Sequence, residues 1–320
     1  MLDRRLKGRL VVLTYHRVLP RSVLAGSFSA DGIIVTPDTF ERHMKLLRRR
    51  FRVLTPDEAA KVLDGSMPLP PRACLVTFDD GWWDNLEYAA PILARHEVPA
   101  LLFVATDYIG TNRSFWQEHL SHLLFLARRN GERSREFLQS LDAAQLLELS
   151  DATVRPGIRE VITRLKKKTP AEIAQIIELV KQHLGALGCD ALPAPTDRFL
   201  SWAQVTELTR TAPVYIGSHG CSHTPFVRLD PSALERELET SRETIREKTG
   251  ITPNDLAYPN GDYDSDVARL TQQAGYRLAF STERGYVKVG DDARTLRRIN
   301  VHEYATSNDA MFVASLAGLF

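Results

Sequence analysis

The chain reads as an α/β protein, an irregular (β/α)7-type barrel with a helical insertion. Three observations predict this. Short, continuous apolar runs recur at Leu10–Leu13, Ala73–Val76 and Pro99–Val104. Uninterrupted runs of that length suit strands covered on both faces, as in a parallel sheet. The runs alternate with helical stretches, which favours parallel strands joined by crossovers. Polar, chemistry-bearing residues then stand directly after the runs, as in His16, Asp79-Asp80 and His219. That is the strand end at which β/α barrels carry their sites.

The totals bound the rest. At 320 residues the chain is long enough for one barrel or two domains. We read residues 1–320 as a single barrel domain, with an N-terminal extension over 1–73 and a helical insertion over about 107–197. With 41 basic and 40 acidic residues the net charge is +1, which argues against a protein built around nucleic-acid phosphates. No run of 18 apolar residues marks a transmembrane helix. Met1–Val12 lacks an apolar stretch of signal-peptide length. A cytoplasmic location is expected, with association at a membrane surface as the variant. Cys74, Cys189 and Cys221 are odd in number and far apart, so no disulfide framework is expected. The oligomeric state is not legible.

In chain order, Leu10–Leu13 is the first strand and Pro20–Asp31 a loop. Thr36-Pro37 opens a helix, with Thr36 as N-cap and Phe40, Met44 and Leu47 on one face. Phe51–Leu54 is a short strand, and Thr55-Pro56-Asp57-Glu58 starts a second helix. Pro68–Pro71 links into the strand Ala73–Val76. A helix carrying Leu86, Ala90 and Leu93 follows, then the strand ending at Val104. Between Asp107 and Asp197 the rhythm breaks into helical spacing at His119–Ala127 and Ala171–Leu184; the charge run Arg164–Lys168 suits a solvated face. Strands resume at Val214–Gly217, Leu256–Tyr258, Tyr276–Phe280 and Leu296–Val301. Helices at Pro231–Thr249, stopped by Gly250, and at Asp264–Ala274, stopped by Gly275, separate them. The tail, Asn308–Phe320, is an apolar helix that docks on the barrel. About seven strands result.

Two stretches carry chemistry. In Thr77-Phe78-Asp79-Asp80-Gly81 two carboxylates sit where a strand ends and the chain turns. Neighbours in extended chain point to opposite sides, so the two need not share one job. In His219-Gly220-Cys221-Ser222-His223 two imidazoles four residues apart directly follow another strand. Either stretch alone also suits a solvated turn or ordinary surface histidines. Together, two imidazoles and one carboxylate form a metal-ligand set with a position left open, the arrangement of hydrolytic sites, and a second carboxylate could accept a proton from water.

These residues, in this order, resemble the polysaccharide deacetylase family, the carbohydrate esterases with a chitooligosaccharide-deacetylase (NodB) homology domain. Tyr15-His16-Arg17, Ser201-Trp202, Tyr258-Pro259-Asn260-Gly261 and Gly275-Tyr276 with Ala279-Phe280 agree in order. The resemblance covers Leu10–Tyr15 and then Cys74 to about His302, interrupted by the insertion. It implies Asp79 as general base and Asp80, His219 and His223 as ligands of a divalent metal, Zn2+ being the usual ion. It implies a backbone N–H at Asn260 for the oxyanion and a late histidine, His302, as general acid. Three departures stand out. Gly220 replaces the family's frequent Ser or Thr, so a loop-fixing hydrogen bond is missing. No arginine stands at Leu256-Ala257-Tyr258 to hold the base, and Asn260 replaces an aromatic residue. Arg298 is a candidate substitute for the missing arginine. His16 could approach the site or serve structure. Trp82, Trp83, Trp116 and Tyr258 are candidates to stack on sugar rings, Trp202 suits the core, and Cys221 suits a small buried filler.

The implied function is metal-dependent hydrolysis of N-acetyl groups on an N-acetylated amino-sugar polysaccharide or glycolipid, through water activated by the metal. The alternatives are a catalytically impaired glycan-binding protein on the same fold, or a deacylase for formyl or O-acetyl groups. The partner is an N-acetylglucosamine-type glycan, with no nucleic acid and no transmembrane segment.

Overall fold

Seven parallel strands among the described residues close into a ring: β1 (Val11–Tyr15), β2 (Ala73–Phe78), β3 (Ala100–Val104), β4 (Val214–Ser218), β5 (Asp255–Ala257), β6 (Leu278–Arg284) and β7 (Leu296–Asn300). Each pairs with the next, and β1 closes the ring on both β2 and β7. The computed structural model describes residues 2–24, 26–151, 153–190 and 192–319. The chain forms two compact units, one of Met1–Arg21, Asp31–Thr111 and Phe199–Phe320, the other of Ser22–Ala30 and Asn112–Arg198. No helix among the described residues is long and apolar enough to cross a membrane.

Register decides what meets at the C-terminal rim of the first unit. Tyr15 pairs with Phe78 across β1–β2, and Thr14 with Asn300 across β1–β7. The Asp79 amide still bonds the Tyr15 carbonyl and the Val301 amide the Thr14 carbonyl. Continuing these registers puts Asp79, His16 and His302 side by side on three neighbouring strands.

The barrel is filled by alternate residues of each strand. Val12, Leu75, Leu101, Phe103, Phe280 and Leu296 form one cluster, joined by residues of the helix α2 (Pro56–Leu63). Phe103 is matched by a missing side chain. Its partner across β3–β4 is Gly217, where a Cβ would stand 2.5 Å from the Phe103 ring and 2.9 Å from the Asp255 carbonyl. A ring fills the space that β4 leaves, and burying it contributes about 1.5–3 kcal/mol.

Helix starts follow the expected chemistry. Thr36 caps α1 (Pro37–Arg50) by accepting from the Thr39 amide, and Thr55 and Glu58 form a capping box on α2. Phe40, Met44 and Leu47 are buried. The expected helix after Asn85 begins as a π-helical turn, Asn85–Ala89, and continues as α3 (Ala90–His96). The second unit packs α4 (Trp116–Arg129), α5 (Val154–Leu165) and α6 (Pro170–Ala186) around Leu123, Leu138, Ile158 and Val180. The expected loop Pro20–Asp31 contains a helical turn, Arg21–Leu24, and residues 22–30 belong to this second unit. The Asp197 carboxylate ties them in, accepting from the Ser27 hydroxyl (2.6 Å) and the Phe28 amide (2.7 Å). In the charge run, Arg164 and Lys166–Lys168 are exposed.

Later in the first unit come α7 (Pro231–Thr249) and the tail helix α8 (Asp309–Leu316), with Phe320 outside the described residues. On α8, Phe312 stacks against His43 of α1, with ring centroids 3.8 Å apart. His43 Nε2 lies 2.8 Å from the Thr306 carbonyl, which can only accept, so Nε2 carries the proton and Nδ1 accepts from the Tyr15 hydroxyl at 3.1 Å. Burial pushes the His43 pKa down to about 4, against smaller opposing effects from Thr306, Glu303 and Asp309. Between about pH 4 and the unfolded value near 6.5 the unfolded chain binds the extra proton, so stability falls as pH falls across that window. The full effect is about 3 kcal/mol. Urea unfolding across this range should show that slope in the wild type and a flatter one in His43→Leu; equal slopes would overturn the assignment.

Candidate active site

Alternation along β2 turns Thr77 and Asp79 to the barrel interior, and β7 delivers Arg298 to the same place. Arg298 Nη1 donates to Asp79 Oδ1 and Nη2 to Oδ2, both at 2.7 Å. Nη1 also reaches Thr77 Oγ1 at 3.1 Å, and Nε bonds the Ser281 carbonyl at 2.8 Å. Thr77 in turn donates to the Leu13 carbonyl at 2.8 Å. Thus β1, β2, β6 and β7 all hold this one ion pair. Asp79 and Arg298 are 2% and 1% exposed. Burial alone raises the Asp79 pKa, but Arg298 and His219 outweigh it, and the net shift is downward. Asp79 is therefore an ionised carboxylate in a fixed plane. The candidate anchor Arg298 meets it through a two-point contact of the strong, charge-assisted kind.

Asp80 points elsewhere because the backbone turns under it. Its φ is 80° and that of Gly81 is 86°. A side chain at residue 81 would meet Ile109 at 2.8 Å, so glycine is required there. Asp80 Oδ2 accepts from Trp82 Nε1 at 2.8 Å. Its Oδ1 stands 3.4 Å from Nε2 of both His219 and His223. His219 Nδ1 lies 2.8 Å from the Ala257 carbonyl, so Nδ1 carries a proton and Nε2 is the nitrogen that faces the carboxylate.

That donor set fits a divalent cation. The ligand atoms of Asp80, His219 and His223 lie within 4.8 Å of one another. Two ligands about 2.1 Å from a tetrahedral ion stand about 3.4 Å apart, the separation found here between Oδ1 and each Nε2. Two of the donors also have the partner that a ligating group needs on its far side: Trp82 for Asp80 and Ala257 for His219. Burial lowers the His219 pKa, but Asp80 and Asp79 outweigh it and raise the net value. The same negative field favours a bound cation. His223 and His16 are 21% and 17% exposed in their side chains, which opens this side of the cluster to solvent.

His16 stands beside the pair. Its Nε2 is 3.9 Å from Asp79 Oδ2, and its buried Nδ1 has no hydrogen-bond partner among the described residues. Burial lowers its pKa, against opposing pulls from Asp80 and Asp79. The segment is locked from below. Asn85 Nδ2 bonds the His16 carbonyl, while Asp84 takes Arg17 Nε at 3.0 Å and the Val18 amide at 2.8 Å. The Arg17 guanidinium lies 4.2 Å from the Trp82 ring centroid, so the same residues steady the indole that holds Asp80.

His302 follows β7 by two residues and stands at the N-cap position of a short helix, Glu303–Thr306, without a side-chain cap bond; its Nδ1 is buried without a partner among the described residues. Asn260 sits on the exit of β5 in a left-handed conformation (φ 62°), its side chain bonded to Asp262 and its carbonyl accepting from Thr282. The sugar-stacking expectation is corrected for two residues. Trp82 is fully buried and stacked on Phe199 at 4.3 Å, and Tyr258 is fully buried and stacked on Tyr263. Trp83 and Trp116 are half-buried, and so is Trp202, against its expected core position. Cys221 is buried, as expected. Sequence reasoning missed the role of Trp82; its place two residues after Asp80 was the available signal.

Breaking the Asp79–Arg298 pair leaves an uncompensated buried charge. Arg298→Met should cost about 3–5 kcal/mol in urea unfolding, and Arg298→Lys, which keeps the charge but loses the two-point geometry, less. Equal stability of Arg298→Met and wild type would contradict this account of the pair.

Residues 66–279 match the family model described as polysaccharide deacetylase. A Bacillus subtilis (strain 168) protein, YxkH, named as a candidate polysaccharide deacetylase, is 29% identical over 117 residues. That match takes in 36% of this chain and 39% of YxkH, so it spans about two fifths of that relative. Among solved structures, IcaB from Ammonifex degensii aligns with a TM-score of 0.62 at 19% identity, covering 97% of each chain. The Streptococcus pyogenes deacetylase PplD in complex with acetate aligns at 0.60 and 16%, covering 95% of this chain and 97% of its own. A de-N-acetylase from Aggregatibacter actinomycetemcomitans aligns at 0.57 and 16%, covering 91% and 94%. At such identities these likenesses show the fold, a barrel of the same kind. The family model, which spans most of the chain and includes both the paired aspartates and the paired histidines, shows more: the protein belongs to the polysaccharide deacetylase family.

Proposed function

We propose that the protein hydrolyses N-acetyl groups on an amino-sugar polysaccharide or glycolipid, with Asp79 as base and Asp80, His219 and His223 as ligands of a divalent ion, Zn2+ first. One observation carries the reading. Three donors within 4.8 Å of one another, with Asp80 Oδ1 3.4 Å from each imidazole, stand next to a carboxylate that Arg298 pairs at both oxygens. Bound there, such an ion supplies polarisation of the acyl carbonyl and a lowered pKa for water. The chain supplies the rest. Asp79 accepts a proton from the attacking water. The C–N bond breaks, acetate leaves, and the sugar keeps a free amine once it is protonated. The Asn260 backbone N–H, on the strand exit next to that of His219, is the proposed donor to the developing oxyanion.

Two imidazoles can deliver the proton to the amine. His302 is the one the family resemblance implies. Geometry favours His16, whose Nε2 already stands 3.9 Å from the Asp79 carboxylate. The fold is shared with the Aggregatibacter de-N-acetylase, and that likeness supports the choice of acyl group.

The test is acetate release from N-acetylglucosamine oligomers and polymer by the Zn2+-loaded protein. Asp79→Asn should lower turnover about 10²–10⁴-fold, the usual worth of a general base, while Zn2+ still binds. Tight glycan binding without turnover, with Zn2+ supplied, would favour a binding protein instead, and release of formate or of an O-acetyl group would reassign the substrate. His16→Gln should cost about 10²–10⁴-fold and His302→Gln less than about tenfold; the opposite order gives the acid role to His302.

A further inference from the structure

The turn that carries the two histidines is held by a residue outside it. Gly220 lacks the hydroxyl that a Ser or Thr would offer the turn. In its place the carboxylate of Glu237, on α7, accepts from two successive backbone amides. Its Oε2 lies 2.6 Å from the Cys221 N and 3.1 Å from the Ser222 N. Two amides converging on one anion make a strong, directional anchor. One helical turn further, Ser241 accepts from the Ser218 hydroxyl at 2.8 Å, and Ser218 Oγ accepts from the Gly220 amide at 3.1 Å. Positions i and i+4 share a helix face, so α7 grips the start and the middle of the turn with one face.

The glycine and the carboxylate depend on each other. Gly220 has φ +73°, and a Cβ there would stand 3.1 Å from Glu237 Oε2 and 3.0 Å from the Phe226 ring. A side chain there would be strained by the positive φ and would press on the carboxylate, which would have to give by a few tenths of an ångström. We infer that Glu237 is a positioning residue for His219 and His223, and that residue 220 is glycine to admit it. The inference rests on reading those histidines as metal ligands. Glu237 touches neither substrate nor metal; it acts by fixing the backbone between the two imidazoles.

The experiment uses the full chain as wild type, Glu237→Gln and Glu237→Ala. Zn2+ affinity is read by competition with a chromogenic chelator, the ligand field from the visible spectrum of the Co2+-loaded protein, and the turn itself by hydrogen exchange at the Cys221 and Ser222 amides. Loss of a partner that orients metal ligands typically costs 10–100-fold in affinity. Glu237→Ala should weaken Zn2+ binding by about that factor, alter the Co2+ spectrum and speed exchange at both amides, with Glu237→Gln falling between. A merely structural residue would shift the melting temperature and leave affinity and spectrum of the folded protein alone, which would overturn the inference, as would unchanged amide exchange in Glu237→Ala. If wild type binds no divalent ion while exchange still quickens in Glu237→Ala, the ligand reading fails and the anchoring of the turn stands.

Discussion

The buried pair of Asp79 and Arg298 is the interaction on which the rest depends. An isolated carboxylate at this depth would lose its charge, because burial disfavours the ionised form. The guanidinium reverses that balance, and two further N–H groups reach Thr77 and Ser281, so four of its five donors are engaged. The guanidinium carbon lies 5.9 Å from the ring centroids of both Phe103 and Phe280. The polar site is therefore seated directly on the apolar filling of the barrel. Gly217 belongs to the same arrangement, since it makes room for the Phe103 ring. Core and site share side chains, and neither can be repacked alone.

Around that pair, each polar group of the site is fixed by a residue from another element. Trp82 fixes one oxygen of Asp80, the Ala257 carbonyl fixes the tautomer of His219, and Glu237 fixes the backbone between the histidines. Arg17, Asp84 and Asn85 fix the chain around His16. Two departures from the family pattern then have one explanation. The arginine missing near Tyr258 is supplied from β7, and the hydroxyl missing at residue 220 is supplied by a carboxylate on α7. What the chemistry constrains is the position of a charge or an acceptor in space; which strand or helix delivers it is free.

That freedom sets how much the sequence could show. Strands buried on both faces announce themselves as apolar runs, and residues directly after them fall at the rim whatever else happens, so Asp79, Asp80, His219 and His223 were legible. Capping chemistry is local too, and Thr36 and Thr55 read correctly. Long-range partners are not local. Nothing in the spacing between Asp79 and Arg298 says that ring closure through β1 brings them together, and an i,i+4 face of α7 looks like any other solvated face. The aromatic residues failed for the same reason. A tryptophan next to a catalytic motif suits a sugar platform and a buried hydrogen-bond donor equally well until burial is known. The attachment of residues 22–30 to the second unit rests on distant partners, Asp197 for Ser27 and Phe28, Thr196 for Gly26, and His122, Phe125 and Arg155 around the Phe28 ring.

In the proposed role of base, Asp79 is a weak proton acceptor at rest because its pKa is pushed down, and its fixed position offsets that. Brønsted behaviour rewards a base near the working pH, but only the fraction already ionised can accept a proton. At this depth the choice is between a carboxylate held ionised by a cation and one neutralised by burial. Arg298 selects the first. The cost in basicity is offset by position, since a carboxylate held at both oxygens keeps one orientation. His16, 3.9 Å away with its own pKa pushed down by burial, completes the arrangement. Asp79 and Asp80 both oppose that lowering, so a proton placed on His16 is stabilised by the two carboxylates beside it.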